Sequence, residues 1–421
     1  MKTKEELREQ LSLLTTLNKS ILTVVDEVEN IRLNIEDEEL LIWFVNAVRE
    51  RVQREAKWAV IDNGGKGLVA MATGSGKSKV AIDLVSFYRE SNFLPNALIV
   101  PTEKLRDENW HEEFKKWNAE SLYEGTNRLC YASASKERIG SINTAILDEC
   151  HNITELSATF FNLNGINNII ALTATVPKDE GKLKLLETIG CKVVYELTLD
   201  DAVKLGFVAP YKINVVFTEL GTENNILSGN KANPFYQSEK KKYEWLDKKW
   251  KDEKEQLGYA KQATTMMRMR FIYNLPSKTA AGRNILHNLI PETDRTLLFC
   301  GSIEQAEAVC SHRFHSKTKD VDYNAFKRGD LNRLSCVNSI NEGHNFEGID
   351  SMVLWQIQAG DKNLLQRIGR GIRFRPGHEN DVWIIVARGT QDEIWLKSAT
   401  ENLDQSKIEY FEYSELQKQF V

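Results

Sequence analysis

The sequence predicts an α/β protein made of two doubly wound lobes, each built around a parallel sheet. Its apolar runs are mostly continuous rather than alternating, as expected for parallel strands that are buried on both faces. Helical stretches separate these runs along the chain. At 421 residues the chain is also longer than one ordinary hydrophobic core accommodates, so two lobes are the natural expectation.

The apolar runs fall into two groups, and each group supplies the strands of one lobe. The first group lies at residues 67–72, 97–100, 144–147, 169–172 and 193–197, and the second at 213–217, 296–299, 333–337, 352–355 and 382–386. We therefore expect a first lobe over residues 61–204 and a second lobe over residues 205–421, preceded by a helical extension over residues 1–60.

The helical extension carries an apolar repeat with 4-3-4-3 spacing, formed by Leu7, Leu11, Leu14, Asn18, Ile21, Val25 and Val28. This spacing is typical of a short coiled-coil seam with one polar position. We favour an α-hairpin in which the helix at residues 3–31 pairs with a second helix near residues 37–57 and packs on the first lobe. Self-association through the helix at residues 3–31 is the alternative.

A charged helical excursion is expected at residues 236–285, inside the second lobe. Between Lys240 and Arg270, ten basic residues outnumber five acidic ones in a chain whose net charge is −5. Four aromatic residues are interleaved with the charges: Tyr243, Trp245, Trp250 and Tyr259. Aromatic side chains among lysines fit stacking on nucleic-acid bases, but they also fit packing between amphipathic helices.

The composition excludes several classes of protein. Hydrophobic residues make up 42% of the chain and charged residues 27%, and no apolar run approaches the length of a membrane span. The amino terminus lacks the apolar segment of a secretion signal. The six cysteines are scattered without a Cys-x-x-Cys pair, which argues against a zinc site or a disulfide framework. We therefore expect a cytoplasmic protein without a membrane partner.

The segment Met71–Ser78 has the pattern of a phosphate-binding loop between a strand and a helix. Two glycines allow the backbone amides to turn inward around phosphate oxygens. Lys77 is expected to neutralise the β- and γ-phosphates, and the Ser78 hydroxyl to coordinate Mg²⁺. The residues expected to hold the nucleotide here are Thr73, Gly74, Ser75, Gly76, Lys77 and Ser78.

Two adjacent carboxylates end the apolar run at residues 144–147, 71 residues after Lys77. Asp148 is expected to hold Mg²⁺, and Glu149 to activate the attacking water. A strand that merely terminates in surface acids is the alternative for these residues taken alone. Their position after a phosphate-binding loop favours the catalytic interpretation.

The segment Gln366–Arg373 lies about 290 residues after the phosphate-binding loop and reads Gln-Arg-Ile-Gly-Arg-Gly-Ile-Arg. In a helix, Arg370 and Arg373 would lie on one face. The position of this segment, so far beyond the phosphate-binding loop, indicates a second lobe that reaches the nucleotide bound by the first. A surface salt bridge is the alternative role for the two arginines.

These motifs together resemble those of superfamily 2 helicases of the DExH type, from about residue 49 to residue 396. The resemblance implies two tandem RecA-like lobes that bind ATP and Mg²⁺. The catalytic residues that it implies are Lys77, Asp148, Glu149, Arg370 and Arg373. Further implied roles are adenine recognition for Gln53, nucleotide contact for Gly343 and Asp350, strand contact for Pro101, Thr102, Ser302, His315 and Ser316, and coupling of the two sites for His151, Thr173, Thr175 and Gln366.

The function expected from this resemblance is that of an ATP-dependent DNA helicase or translocase. The segment Leu205–Tyr211 resembles the inter-lobe crossing of compact relatives that remodel branched DNA, which favours single-stranded or branched DNA over RNA. Three alternatives stay open: a motor that moves along duplex DNA without separating its strands, an RNA helicase, and a nucleotide-gated scaffold with little ATPase activity. The complete hydrolytic set argues against the scaffold.

Overall fold

The computed structural model describes residues 3–14, 20–89, 94–230, 232–318, 320–337, 346, 348–357, 364, 378–401 and 403–420. The chain forms two compact units, Met1–Ala209 and Pro210–Val421. Each unit is built around a parallel sheet whose strands are connected through helices. The predicted fold class, with two doubly wound α/β lobes, is therefore confirmed.

The first unit contains a six-stranded parallel sheet in the order β3-β2-β4-β5-β1-β6. Its strands are β1 (Lys66–Met71), β2 (Asn96–Val100), β3 (Thr126–Cys130), β4 (Ser141–Leu147), β5 (Gly165–Thr173) and β6 (Val193–Leu197). Each apolar run predicted for this lobe forms one of these strands. The edge strand β3 was not predicted, because its middle residues 127–129 are half-buried or exposed and form no apolar run.

The helices of the first unit are α1 (Lys4–Leu14), α2 (Val25–Leu33), α3 (Glu38–Asp62), α4 (Lys77–Arg89), α5 (Trp110–Lys116), α6 (Glu120–Glu124), α7 (Tyr131–Ala134), α8 (Glu155–Leu163), α9 (Glu180–Thr188) and α10 (Leu199–Lys204). Helix α3 begins at the N-cap Asp37, whose carboxylate accepts the Leu40 N–H at 2.7 Å. It ends just before Gly64 and Gly65, whose φ values of 74° and 83° turn the chain into β1.

The structure differs from the single helix predicted over residues 3–31. Helices α1 and α2 lie in this range, and Ile21–Thr23 forms a short 3-10 turn before α2. Glu55 on α3 accepts the Ile21 N–H at 3.1 Å, which fixes this turn against α3. Several seam residues are buried inside the unit: Leu7, Ile21, Val25 and Val28. Packing of both helices on α3 favours the α-hairpin interpretation.

The second unit contains a seven-stranded parallel sheet in the order β11-β12-β10-β13-β14-β7-β15. Its strands are β7 (Tyr211–Thr218), β10 (Thr296–Phe299), β11 (Arg313–Phe314), β12 (Arg333–Cys336), β13 (Ser351–Leu354), β14 (Asn380–Ala387) and β15 (Ile408–Glu412). All five apolar runs predicted for this lobe form strands. The two edge strands, β11 and β15, were not predicted because one has two residues and the other is largely exposed.

The helices of the second unit are α11 (Glu239–Leu257), α12 (Gln262–Tyr273), α13 (Pro276–Asn288), α14 (Ile303–Val309), α15 (Val321–Arg328), α16 (Gln391–Thr400) and α17 (Tyr413–Leu416). The range of the predicted charged excursion, residues 236–285, contains α11, α12 and most of α13. A small antiparallel hairpin precedes it, made of β8 (Ile226–Gly229) and β9 (Pro234–Gln237). The fully buried Lys278 on α13 pairs with the fully buried Asp392 on α16 at 2.5 Å.

None of the helices in the described parts of the chain is both long enough and apolar enough to cross a membrane. All six cysteines are free thiols, and only Cys310 is partly accessible.

Candidate active site

The phosphate-binding loop lies where the sequence predicts it, between the buried strand β1 and the first turn of α4. Gly74 and Gly76 have φ values of 91° and 94°, in the left-handed region that favours glycine. Ser75 is fully buried, and its hydroxyl donates to the Ala72 carbonyl at 2.6 Å. The loop therefore stands at the N-terminus of a 13-residue helix, where free backbone amides attract anions.

Gln53 on α3 is held directly against this loop. Its side-chain amide donates to the Ser75 carbonyl at 3.1 Å. A Cβ atom at Gly76 would approach the same amide nitrogen to 2.1 Å, so the close approach also requires glycine there. The structure thus shows a hydrogen bond that connects α3 to the phosphate-binding loop, whereas adenine recognition by Gln53 stays a prediction.

The two acidic residues follow β4, the strand two places from β1 in the sheet. The Asp148 N–H donates to the Ile99 carbonyl at 2.9 Å, which extends the pairing with β2 by one residue. Glu149 has a φ of 46°, an unusual backbone conformation for a glutamate. Its carboxylate meets the Lys77 ammonium at 3.1 Å. Both acidic residues are buried, so they are not surface acids at a strand end.

Trp110 is a site residue whose hydrogen bond the sequence did not reveal. Its indole N–H donates to Asp148 Oδ2 at 2.9 Å, and the Glu149 N–H donates to Asp148 Oδ1 at 3.0 Å. Burial raises the pKa of Asp148, and the negative charge of Glu149 raises it further, while Lys77 and the two hydrogen bonds act in the opposite direction. The two donors thus stabilise an ionised carboxylate that is otherwise costly to bury.

A polar network connects the acidic residues to the end of β5. His151 Nδ1 lies 3.4 Å from Glu149 Oε2 and 3.4 Å from Thr173 Oγ1. The Thr173 hydroxyl donates to the Thr175 carbonyl at 2.9 Å. The structure thereby brings together three residues predicted to couple the two sites. Lys182 on α9, which was not predicted, donates to the His151 carbonyl at 2.6 Å.

Ser78 and Asp148 are the two residues expected to hold Mg²⁺, and both offer oxygen ligands, as this cation prefers. Within the described residues no group of three or more His, Cys, Asp or Glu side chains could hold a metal ion.

The predicted strand-contacting residues occupy different surroundings. Pro101 and the exposed Thr102 directly follow β2. Ser302 caps α14 by accepting the Gln305 N–H at 3.1 Å. Ser316 is exposed, but the neighbouring His315 is buried, and its Nδ1 accepts the Lys317 N–H at 3.3 Å. Strand contact by these residues stays a prediction.

The structure does not bring Asp350 to the edge of the sheet where ligands are expected. The residue precedes β13, at the amino end of that strand, whereas ligands of open parallel sheets bind at the carboxyl ends. Its carboxylate accepts the Arg295 N–H at 2.7 Å and meets His378 Nε2 at 2.9 Å. Gly343, Gln366, Arg370 and Arg373 lie outside the described residues.

Two known families match parts of the chain. Residues 42–139 match the family described as Type III restriction enzyme, res subunit. Residues 281–375 match the family described as Helicase conserved C-terminal domain. The first region includes Gln53 and the phosphate-binding loop, and the second includes Ser302 and the segment Gln366–Arg373.

A curated relative and two solved structures are also similar to the chain. The DNA 3'-5' translocase XPB2 of Sulfurisphaera tokodaii is 27% identical over 200 residues, which cover 44% of this chain but only 41% of that protein. The Hef helicase domain of Pyrococcus furiosus matches with a TM-score of 0.52 and 12% identity, over 83% of this chain and 97% of that one. The DNA-bound Type ISP restriction-modification enzyme LlaBIII matches with a TM-score of 0.51 and 14% identity, over 86% of this chain and 31% of that one. At these identities the two structures support the fold alone.

Proposed function

We propose that this chain is a superfamily 2 helicase, an ATP-dependent motor that moves along DNA or remodels it, because parts of it match the two families named above and the translocase XPB2. The observation that carries this proposal is the continuous network from Lys77 through Glu149 and His151 to Thr173. The network connects Glu149, the carboxylate proposed to activate water, to Thr173, which is expected to respond to strand binding. Such a connection is what a motor requires and a simple nucleotide-binding protein does not.

Hydrolysis is proposed to begin with a change of partner at Lys77. Its ammonium is paired with Glu149 at 3.1 Å, and the phosphates of a bound nucleotide would compete for it. Release from Lys77 frees the Glu149 carboxylate to accept a proton from the attacking water. Bound Mg²⁺, held by Ser78 and Asp148, would neutralise charge on the phosphates.

The second unit is proposed to supply the remaining groups. Arg370 and Arg373 would neutralise the charge that develops on the transferring phosphoryl group, and groups of this kind are worth about 10³–10⁵ in rate. Gln366 would couple this segment to strand binding. The matching family region over residues 281–375 contains all three residues and supports these roles.

DNA is proposed as the track. The relative XPB2 is named as a DNA translocase, and LlaBIII was solved with DNA bound. Pro101, Thr102, Ser302 and Ser316 are proposed to bind the backbone of the strand. Binding through phosphates is tolerant of sequence and sensitive to salt.

The test is the ATPase rate with single-stranded DNA, duplex, fork, Holliday junction and RNA. We expect DNA to stimulate the wild-type rate, and Glu149→Gln to abolish hydrolysis while ATP still binds. Glu124→Gln, which changes an exposed glutamate of the same unit, is the matched control and should leave the rate unchanged. An unstimulated rate with every nucleic acid, together with no effect of Glu149→Gln, would contradict the motor and support a nucleotide-gated scaffold.

A second candidate is a motor that moves along duplex DNA without separating its strands. The name of the relative, a translocase, favours this version. Triplex displacement and strand displacement measured on the same protein distinguish the two. Loss of the third strand without unwinding supports the duplex translocase, and unwinding of a fork supports the helicase.

A further inference from the structure

His151 is held on two sides, by Lys182 of α9 and by its neighbour Asn152. The Lys182 ammonium donates to the His151 carbonyl at 2.6 Å, and Asn152 Nδ2 lies 3.1 Å from His151 Nε2. We propose that Lys182 and Asn152 are positioning residues, which direct the Nδ1–H of His151 at the Glu149 carboxylate. This inference rests on the proposed function, because Glu149 is the group proposed to activate water.

The hydrogen bonds of Asn152 determine which ring nitrogen of His151 carries the proton. Asn152 Nδ2 also donates to the Glu149 carbonyl at 3.1 Å, and this contact fixes the orientation of the amide. The opposite orientation would place two carbonyl oxygens against each other. An amide NH₂ group only donates hydrogen bonds, so His151 Nε2 must accept one. In the neutral imidazole the proton is then on Nδ1, the nitrogen that lies 3.4 Å from Glu149 Oε2.

The Nδ1–H of His151 gives the Glu149 carboxylate a partner that a nucleotide does not displace. Lys77 faces the other carboxylate oxygen, Oε1, at 3.1 Å and is proposed to move to the phosphates of bound ATP. His151 faces Oε2 and stays in place when Lys77 leaves. A carboxylate that is oriented through one oxygen keeps the other oxygen directed at the attacking water.

Lys182 reaches the histidine from a helix that is fixed in the core of the first unit. Asp179 caps α9 by accepting the Lys182 N–H at 3.1 Å, and Leu186 on the same helix is fully buried. The segment that carries His151 is a single 3-10 turn, Cys150–Asn152. A donor from an anchored helix therefore restricts the rotation of this short turn, and with it the direction of the ring.

The first test concerns the lysine. Lys182→Met removes the ammonium and keeps most of the apolar stem, and Lys184→Met makes the same change at an exposed position of α9. We expect Lys182→Met to lower the DNA-stimulated ATPase rate by about tenfold or more at wild-type ATP affinity, the scale of a lost hydrogen bond to a charged group. Lys184→Met should keep the wild-type rate, and Lys182→Arg, which keeps a charged donor, should recover most of the loss. In protein that carries His151→Ala, Lys182→Met should cause no further loss.

The second test concerns the ring proton and begins with the wild-type protein. Nitrogen NMR of protein labelled in its histidine rings, at a mildly alkaline pH where imidazole is neutral, should show His151 protonated on Nδ1 and not on Nε2. The signals of His151 are those missing from His151→Gln. Asn152→Asp replaces the donor by an acceptor, so the ring should carry a proton on Nε2 and the DNA-stimulated rate should fall. Asn167→Asp, at an exposed position of β5, introduces the same charge and should change neither.

The outcomes separate this inference from the proposed function. Wild-type protein whose ATPase rate DNA does not raise, together with no effect of Glu149→Gln, contradicts the proposed function. Where DNA does raise the wild-type rate, a proton on His151 Nε2 in the wild type, or a Lys182→Met rate equal to that of Lys184→Met, overturns only this inference. Equal fractional losses from Lys182→Met with and without His151 also overturn it, because the lysine then acts independently of the histidine. Thermal melting verifies that each variant folds, and the NMR result on the wild type depends on no variant of Lys182.

Discussion

Replacing Trp110 by phenylalanine should impair ATP hydrolysis through Asp148. The substitution removes the 2.9 Å hydrogen bond to Asp148 Oδ2 and keeps an aromatic ring in a site where the native side chain is 3% exposed. Asp148 is 7% exposed, so water has little access to replace the missing donor. A hydrogen bond to a charged group contributes about 1.5–3 kcal/mol, which corresponds to a rate decrease of about 10- to 100-fold.

The assay is the DNA-stimulated ATPase rate as a function of Mg²⁺ concentration. Because Asp148 is the proposed Mg²⁺ ligand, we expect Trp110→Phe to need more Mg²⁺ for half of its maximal rate and to have a lower kcat. Trp117→Phe is the matched control, since this residue follows α5 and its ring lies near Lys79 and Lys116, not Asp148. A wild-type Mg²⁺ dependence in Trp110→Phe, or an equal change in the control, would refute the positioning role.

Three further predictions concern stability, nucleotide binding and thiol chemistry. Lys278→Met should lower the free energy of unfolding, measured in urea, by about 3–5 kcal/mol because it leaves Asp392 buried without its partner. The double variant Lys278→Met/Asp392→Leu should recover most of that loss. Losses that add up in the double variant would contradict the pairing argument. Gln53→Ala should weaken binding of ATP and of inorganic triphosphate alike, by about two- to tenfold in a competition assay, because it removes the hydrogen bond to the phosphate-binding loop. A loss of affinity confined to ATP would support adenine recognition instead. Burial raises the pKa of Cys191 to about 12, so its reactive thiolate stays scarce until the pH approaches that value. Mass spectrometry after iodoacetamide treatment near neutral pH should therefore find Cys310 modified first and Cys191 only after unfolding. Early labelling of Cys191 would show that its surroundings open in the folded protein.

The sequence by itself determined the features that are written in contiguous residues. Continuous apolar runs predicted ten strands and the two-lobe α/β class, because a parallel strand buried on both faces must be apolar throughout. The sequence also identified two motifs of the candidate active site: the loop that ends in Lys77 and Ser78, and the acidic pair Asp148 and Glu149. Their chemistry requires fixed residue types at fixed short spacing.

Only the tertiary structure decided which distant side chains meet. Trp110 and Asp148 are far apart in sequence, and their hydrogen bond depends on how the first turn of α5 lies against the residue that follows β4. The hydrogen bond between Lys242 on α11 and Ser228 on β8 depends in the same way on the β8–β9 hairpin, whose strands the sequence does not mark with an apolar run. The physical reason is that hydrophobic periodicity reports the burial of each segment separately. The partner of a polar side chain is fixed by strand order and by packing across the sheet.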